Sequence, residues 1–190
     1  MVKVTKKKKK VNLNKAIEDA SRRKQQVFND VKIKVHFNGH AIVNAICRMI
    51  KKPTTRYMLG CCAWITNTRI LDSMAGSLQG VALICTKDKI TKAKGNQAKY
   101  RNLRKLPMAK SAVNTIGCGS GYNKSLMHHK FLVGLDENKK PTFVINGSFN
   151  FTKSAVNHLE NCMVIEDESV AKLFKDEFMR LFPISRPLKL

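Results

Sequence analysis

Apolar and polar positions along this chain change period several times, and each change marks an element. Over residues 31–37 apolar side chains alternate with basic or polar ones, the period-two pattern of a strand, and Asn38-Gly39 ends it. Over 40–51, Ile42, Val43, Ile46, Met49 and Ile50 recur at helical spacing until Pro53 stops the run. Residues 56–65 form an apolar run containing Tyr57, Leu59, Cys61 and Trp64, which reads as a buried strand. Thr66-Asn67-Thr68 supplies a cap for a helix over about 69–78, Gly80 ends it, and 81–85 is a further buried strand. This β-α-β-α-β order predicts an α/β sheet with parallel neighbours.

The flanks carry weaker patterns. Residues 1–12 hold five consecutive lysines at 6–10 and read as a disordered basic arm, because like charges repel. Residues 13–30 read as an N-terminal helix, with Leu13, Ile17, Ala20, Val27 and Phe28 on roughly one face. Beyond the second helix, 112–116 is a short strand and 117–123, with three glycines, is a loop. Two apolar strands at 131–135 and 142–145, joined by a polar turn, read as an antiparallel hairpin. Residues 163–165 read as a last strand. Val170, Leu173, Phe174, Phe178 and Leu181 then mark an amphipathic helix that stops at Pro183. One folded domain over 31–183 is expected, with a tail at 184–190.

Charge changes the picture more than composition does. The 190 residues are 43% apolar and 26% charged, a globular composition. Lys and Arg number 36 against 13 acidic residues, a net charge of +23. Such a balance points to a polyanionic partner, nucleic acid first and anionic membrane second. The densest stretch is 87–110: Lys87, Lys89, Lys92, Lys94, Lys99, Arg101, Arg104, Lys105 and Lys110 face a single acid, Asp88, with Tyr100 among them. As a basic surface with an aromatic, this stretch suits a nucleic-acid backbone. Six cysteines include no CxxC pair and no Cys/His cluster with zinc spacing, so no metal site is expected, and buried free thiols in a reducing compartment are. The lysine-rich start lacks the apolar core of a signal peptide, and no apolar run approaches the length of a membrane span. A soluble intracellular protein is expected, cytoplasmic, or nuclear if the 6–10 run is an import signal.

Chemistry concentrates at the two ends of the predicted hairpin. His128-His129-Lys130 precedes its first strand, and Gly147-Ser148-Phe149-Asn150 follows its second. Antiparallel strands bring those ends together, and residues two apart on an extended chain face the same side. An imidazole, an ammonium, a hydroxyl and a carboxamide therefore converge: three donors for phosphate oxygens beside one nucleophile. His129, His36, His40 and His158 read as ordinary surface or core histidines.

The set His128-x-Lys130, Asp136, then Gly147-Ser148-x-Asn150 within Gly-Ser-Phe-Asn-Phe-Thr resembles the phospholipase D superfamily, with Glu160-Asn161 matching a downstream Glu-Asn pair. Asp136 stands one place later than in that family's pattern. The resemblance covers about 31–182. It implies a phospholipase D-like mixed β-sheet with helices on both faces and one motif per chain. It also implies a covalent phosphohistidine on His128, with Lys130 and Asn150 holding the non-bridging oxygens. Ser148 adds a hydrogen bond, Glu160 orients the imidazole and Asp136 supports the site. The general acid is a second histidine, and a chain with one motif obtains it from another copy, so a homodimer is expected. No cofactor or metal is required. The favoured activity is an endonuclease acting on DNA or RNA. The alternatives are a lipid phosphodiesterase and a non-catalytic nucleic-acid binder.

Overall fold

The computed structural model describes residues 26–28, 32–103, 112–117 and 126–189. The basic arm, residues 13–25 of the predicted N-terminal helix, residues 118–123 of the glycine loop, and Arg104, Lys105 and Lys110 lie outside the described residues.

Nine strands among the described residues form one sheet. They are β1 (Gln26–Phe28), β2 (Lys32–His36), β3 (Tyr57–Cys62), β4 (Gly80–Thr86), β5 (Val113–Ile116), β6 (Lys130–Leu135), β7 (Pro141–Gly147), β8 (Cys162–Glu166) and β9 (Arg186–Pro187), in the order β1-β2-β8-β7-β6-β3-β4-β5-β9. The neighbours β3, β4 and β5 are parallel, and the remaining pairings are antiparallel. The helices are α1 (Gly39–Ile50), α2 (Thr68–Ser77), α3 (Lys89–Lys92), α4 (Lys94–Leu103) and α5 (Glu168–Leu181).

Four of these five helices start at a polar side chain that caps them. Asn38, Asn67, Asp88 and Asp167 cap α1, α2, α3 and α5 by accepting from the backbone N–H of Ala41, Ile70, Thr91 and Val170. The apolar stripe of α1 seats Ile42, Ile46 and Ile50 with no exposed area. Each such side chain contributes about 1.5–3 kcal/mol on burial. Strand alternation divides the core in two. Met58, Cys62, Leu83, Cys85, Leu132, Phe143 and Ile145 meet α1, α2 and α4 on one face. Cys61, Ile84, Phe131, Val133 and Val144 meet α5 on the other. The vicinal cysteines thus point to opposite faces, as period-two geometry requires. Burial pushes the Cys61 thiol up to about 12, which leaves it protonated and inert.

Three differences from the sequence reading have physical causes. First, β2 does not neighbour β3. Strands β8, β7 and β6 lie between them, because the late hairpin and β8 insert into the sheet by antiparallel pairing. Second, Gln26–Phe28, expected as helix, pairs with β2 as an edge strand; with Gln25, Gln26, Val27 and Phe28 the local sequence suits either state, and a sheet edge was available. Third, the expected tail returns to the sheet. Arg186 and Pro187 pair with Thr115 and Asn114 in β5, and Ser185 is buried.

Candidate active site

The sheet's architecture brings the chemistry to one edge. Strands β3 and β4 end there, β6 and β8 begin there, and β7 ends there: Cys62 pairs with Lys130, and Gly147 with Cys162. His128 and His129 immediately precede β6 at that edge. Ala63 N–H donates to the His129 carbonyl at 2.9 Å, and the Thr86 hydroxyl to the Met127 carbonyl at 2.7 Å. The loop carrying His128 is therefore pinned to the ends of both parallel strands.

Period-two alternation then sorts the side chains. His129 turns toward α5, where its Nε2 lies 3.1 Å from Glu177, whose carboxylate also takes two hydrogen bonds from Arg180. His128 and Lys130 take the other side. Lys130 is buried to 8% exposure, and its Nζ donates to the His128 carbonyl at 2.8 Å. Burial pulls the Lys130 ammonium below its ordinary value, with Glu160 and the Cys62 sulfur pulling back. The His128 imidazole is exposed, and it too lies below its ordinary value of 6.5, through desolvation first and the Lys130 charge second. It is therefore largely neutral at pH 7, the form in which a ring nitrogen attacks.

The second half of the set hangs from β7. Gly147 passes so close to the Asn161 backbone that a Cβ would collide with it. That approach lets Ser148 N–H and Phe149 N–H both donate to the Asn161 carbonyl, at 3.1 and 3.4 Å, while Asn161 N–H donates to Ser148 Oγ at 3.1 Å. The Ser148 hydroxyl donates in turn to Glu160. The side-chain oxygen of Asn150 is buried with no protein partner among the described residues. A buried polar atom left in that state costs free energy unless a ligand completes it.

Two expected site residues fall elsewhere, and one takes a different partner. Asp136 sits at the far end of β6, six residues and thus roughly 20 Å from Lys130 at strand rise. There its carboxylate accepts from the N–H groups of Asn138 and Lys140, at 2.9 Å each, and shapes the hairpin turn. Tyr100 has no exposed area; its hydroxyl donates to the Ile65 carbonyl at 2.7 Å. It anchors α4 and cannot meet a ligand. Glu160 remains at the site, but its hydrogen bond goes to Ser148 and not to the imidazole. Lys87, Lys89, Lys92, Lys94 and Arg101 are exposed and Lys99 half-buried, all along α3 and α4 or just before them.

One residue of the site escaped sequence reasoning. Trp64 follows β3, half-buried, with its ring edge-on to His128 at 5.7 Å between centroids and its indole N–H donating to Asp88. An apolar run gives no sign of where its strand ends, and here the strand stops at Cys62.

The sequence model of the family described as "Cardiolipin synthase, PLD-like domain" matches residues 46–182, well over half of the chain. The chain belongs to the phospholipase D superfamily. An uncharacterised protein of Acanthamoeba polyphaga mimivirus is 26% identical over 208 aligned residues, which span 90% of this chain and 71% of that one. The mitochondrial cardiolipin hydrolase of Canis lupus familiaris is 41% identical over 64 residues, 33% of this chain and 23% of that protein. Among solved structures, NucT from Helicobacter pylori superposes with a TM-score of 0.67 at 16% identity, over 83% of this chain and 99% of that one. The mixed sheet covered by helices on both faces is thus the phospholipase D-like fold. No helix among the described residues is long and apolar enough to cross a membrane.

Proposed function

We propose that this protein is a metal-independent phosphodiesterase that cleaves DNA or RNA as an endonuclease, through a phosphohistidine on His128, in a two-fold homodimer. The observation that supports this reading is that the pairing of β6 with β7 sets the exposed imidazole of His128 and the buried Lys130 at the same strand ends as Ser148 and Asn150. His128 Nε2 attacks phosphorus, the bond to the leaving oxygen breaks, and that oxygen takes a proton from the partner's His128. Water then attacks the phosphohistidine, the same partner imidazole removes its proton, and the phosphorus–nitrogen bond breaks. Lys130 neutralises the non-bridging oxygens, the Asn150 side-chain N–H donates to them, and Glu160 holds Ser148 in place. Nucleic acid is favoured as substrate by the net charge of +23 and by the exposed cations of α3 and α4.

A lipid phosphodiester is the second reading, favoured by the family's description and by the 64-residue match to a cardiolipin hydrolase. The deciding experiment incubates the protein with labelled DNA, labelled RNA and phosphatidyl lipids, each in excess chelator. Cleavage of nucleic acid alone is expected. Lipid turnover without nucleic-acid turnover rejects the substrate assignment, and chelator-sensitive activity rejects the metal-free mechanism.

Two further outcomes follow from the site's electrostatics. His128 sits below its ordinary value, so the fraction of neutral imidazole is lost only as pH falls beneath 6.5. The acid limb of kcat/KM should accordingly have its midpoint below 6.5, and a midpoint above that value contradicts His128 as the nucleophile. Replacing Lys89, Lys92, Lys94 and Arg101 with Gln should weaken binding alike for all base sequences. It should also flatten the log–log salt dependence by about 0.7–0.9 for each phosphate no longer neutralised. Unchanged affinity and slope would mean these cations serve solubility alone.

A further inference from the structure

The basic segment is tied to the catalytic edge at two adjacent residues. Trp64 holds it through Asp88, whose one carboxylate oxygen accepts the indole N–H while the other caps α3 at Thr91 N–H, 2.9 Å. Ile65 holds it through Tyr100, which fixes α4 to the Ile65 carbonyl at 2.7 Å. Ile65 is fixed further by its bridge to Phe151, whose carbonyl accepts from Thr66 and Asn67 N–H at 2.9 Å each. The short stretch from Trp64 to Asn67 is thus clamped between the end of β3, the segment after Asn150, and the two basic helices.

Trp64 is half-buried and stands between two chemistries. On one side is the His128 ring, 5.7 Å away and nearly perpendicular at 77°. On the other is Asp88, followed at once by the exposed Lys89 and, a helical turn on, Lys92. A polyanion lying across the α3 cations into the Lys130–Asn150 cradle passes over this indole. The near-perpendicular contact leaves at least one indole face free of the imidazole, and the hydrogen bond to Asp88 removes the rotamer freedom that ordering a large side chain would otherwise cost on binding.

Resting on the nucleic-acid reading of the site, we infer that Trp64 is its specificity-determining residue, a platform on which the base beside the cleaved phosphate stacks. A base paired within a duplex has both faces occupied by its neighbours, so a base on Trp64 is an unpaired one. The substrate class is then a phosphodiester flanked by an unstacked base: single-stranded nucleic acid, or a loop or end. A diacylglycerol phosphodiester offers no ring to this surface.

Trp64 is the only tryptophan in the chain, so its emission reports this position alone. Full-length His128→Asn protein, which cannot turn over, is titrated with a short single-stranded oligonucleotide and with an abasic phosphodiester strand of equal length and charge. Binding of each is followed independently by anisotropy of an end label. Saturable quenching by the base-bearing strand, with the abasic strand bound but the emission unchanged, supports the inference. Equal quenching by both strands, or binding of the base-bearing strand with unchanged emission, overturns it. A blue shift on anionic phosphatidyl vesicles without any response to oligonucleotide also overturns it and places Trp64 at a lipid surface. If neither strand binds, the nucleic-acid reading itself falls, a result distinct from binding without quenching. In turnover assays with His128 present, Trp64→Leu should raise KM on oligonucleotide by about 5- to 160-fold, the range that one stacked base supplies. Trp64→Phe should recover most of that loss. A fall in kcat at unchanged KM in both variants would instead mean that Trp64 only wedges the imidazole.

Discussion

Replacing His128 with alanine should lower phosphodiester turnover by roughly 10⁴- to 10⁶-fold, the range measured when a covalent nucleophile or its partners are removed. The fold should not notice. His128 is exposed, its ring lies nearly perpendicular to that of Trp64, and the hydrogen bonds that hold its loop run to the carbonyls of Met127, His129 and His128 itself. Thermal unfolding and substrate affinity should therefore stay near wild type while single-turnover chemistry disappears. A phosphorylated histidine trapped by a denaturing quench at alkaline pH, where the phosphorus–nitrogen bond survives, should be present with the native protein and absent with His128→Ala. Turnover within tenfold of wild type in the variant would end the phosphohistidine mechanism. Lys130→Met tests the same centre from another side. It keeps the buried stem and removes the charge together with the hydrogen bond to the His128 carbonyl, so a loss of rate far larger than the roughly 0.5–1.5 kcal/mol that one hydrogen bond contributes to stability is expected.

Gly134→Ala should produce the converse pattern, large in stability and small in chemistry. Gly134 in β6 lies opposite Phe143 in β7, and the Phe143 ring lies over it where a side chain would go. Phe143 is 1% exposed and packed among α1-facing core residues, so the ring has nowhere to retreat. A methyl group at Gly134 overpacks this point and should cost about 3 kcal/mol, or about 6–12 °C in Tm for a domain of this size. Phe143→Leu in the same chain should return part of that loss, which a double-mutant cycle reads directly. Because the proposed catalytic groups sit at the other end of the hairpin, kcat measured well below Tm should stay near wild type. A Tm change of less than about 2 °C would mean the ring slides away freely.

What local pattern can specify was legible in the sequence of this protein. The helix α1, the Asn67 cap of α2, the β6–β7 hairpin and the amphipathic α5 are each set by residues within a few positions of one another, through periodicity, capping and turn chemistry. The proposed site could be named from the sequence for the same reason: His128, Lys130, Ser148 and Asn150 stand at the ends of a single hairpin, the shortest-range pairing a sheet allows.

What depended on distant partners was decided only by tertiary structure. Strand order is one case. Period-two patterning says which face of β2 is buried but not which strand it meets, and the choice of β8 over β3 came from pairing across more than a hundred residues. Tyr100 and Asp136 are others. Both were expected at the site, yet the inward face of α4 assigned Tyr100 to the core and the length of β6 assigned Asp136 to the far turn. Glu160 kept its place and changed its partner, because the close pass of Gly147 by Asn161 brings Ser148 to it first. Trp64 shows the limit most clearly. In sequence it is one apolar residue in an apolar run; it becomes a wall of the site only because β3 ends two residues earlier and β6, from the other half of the chain, begins against it.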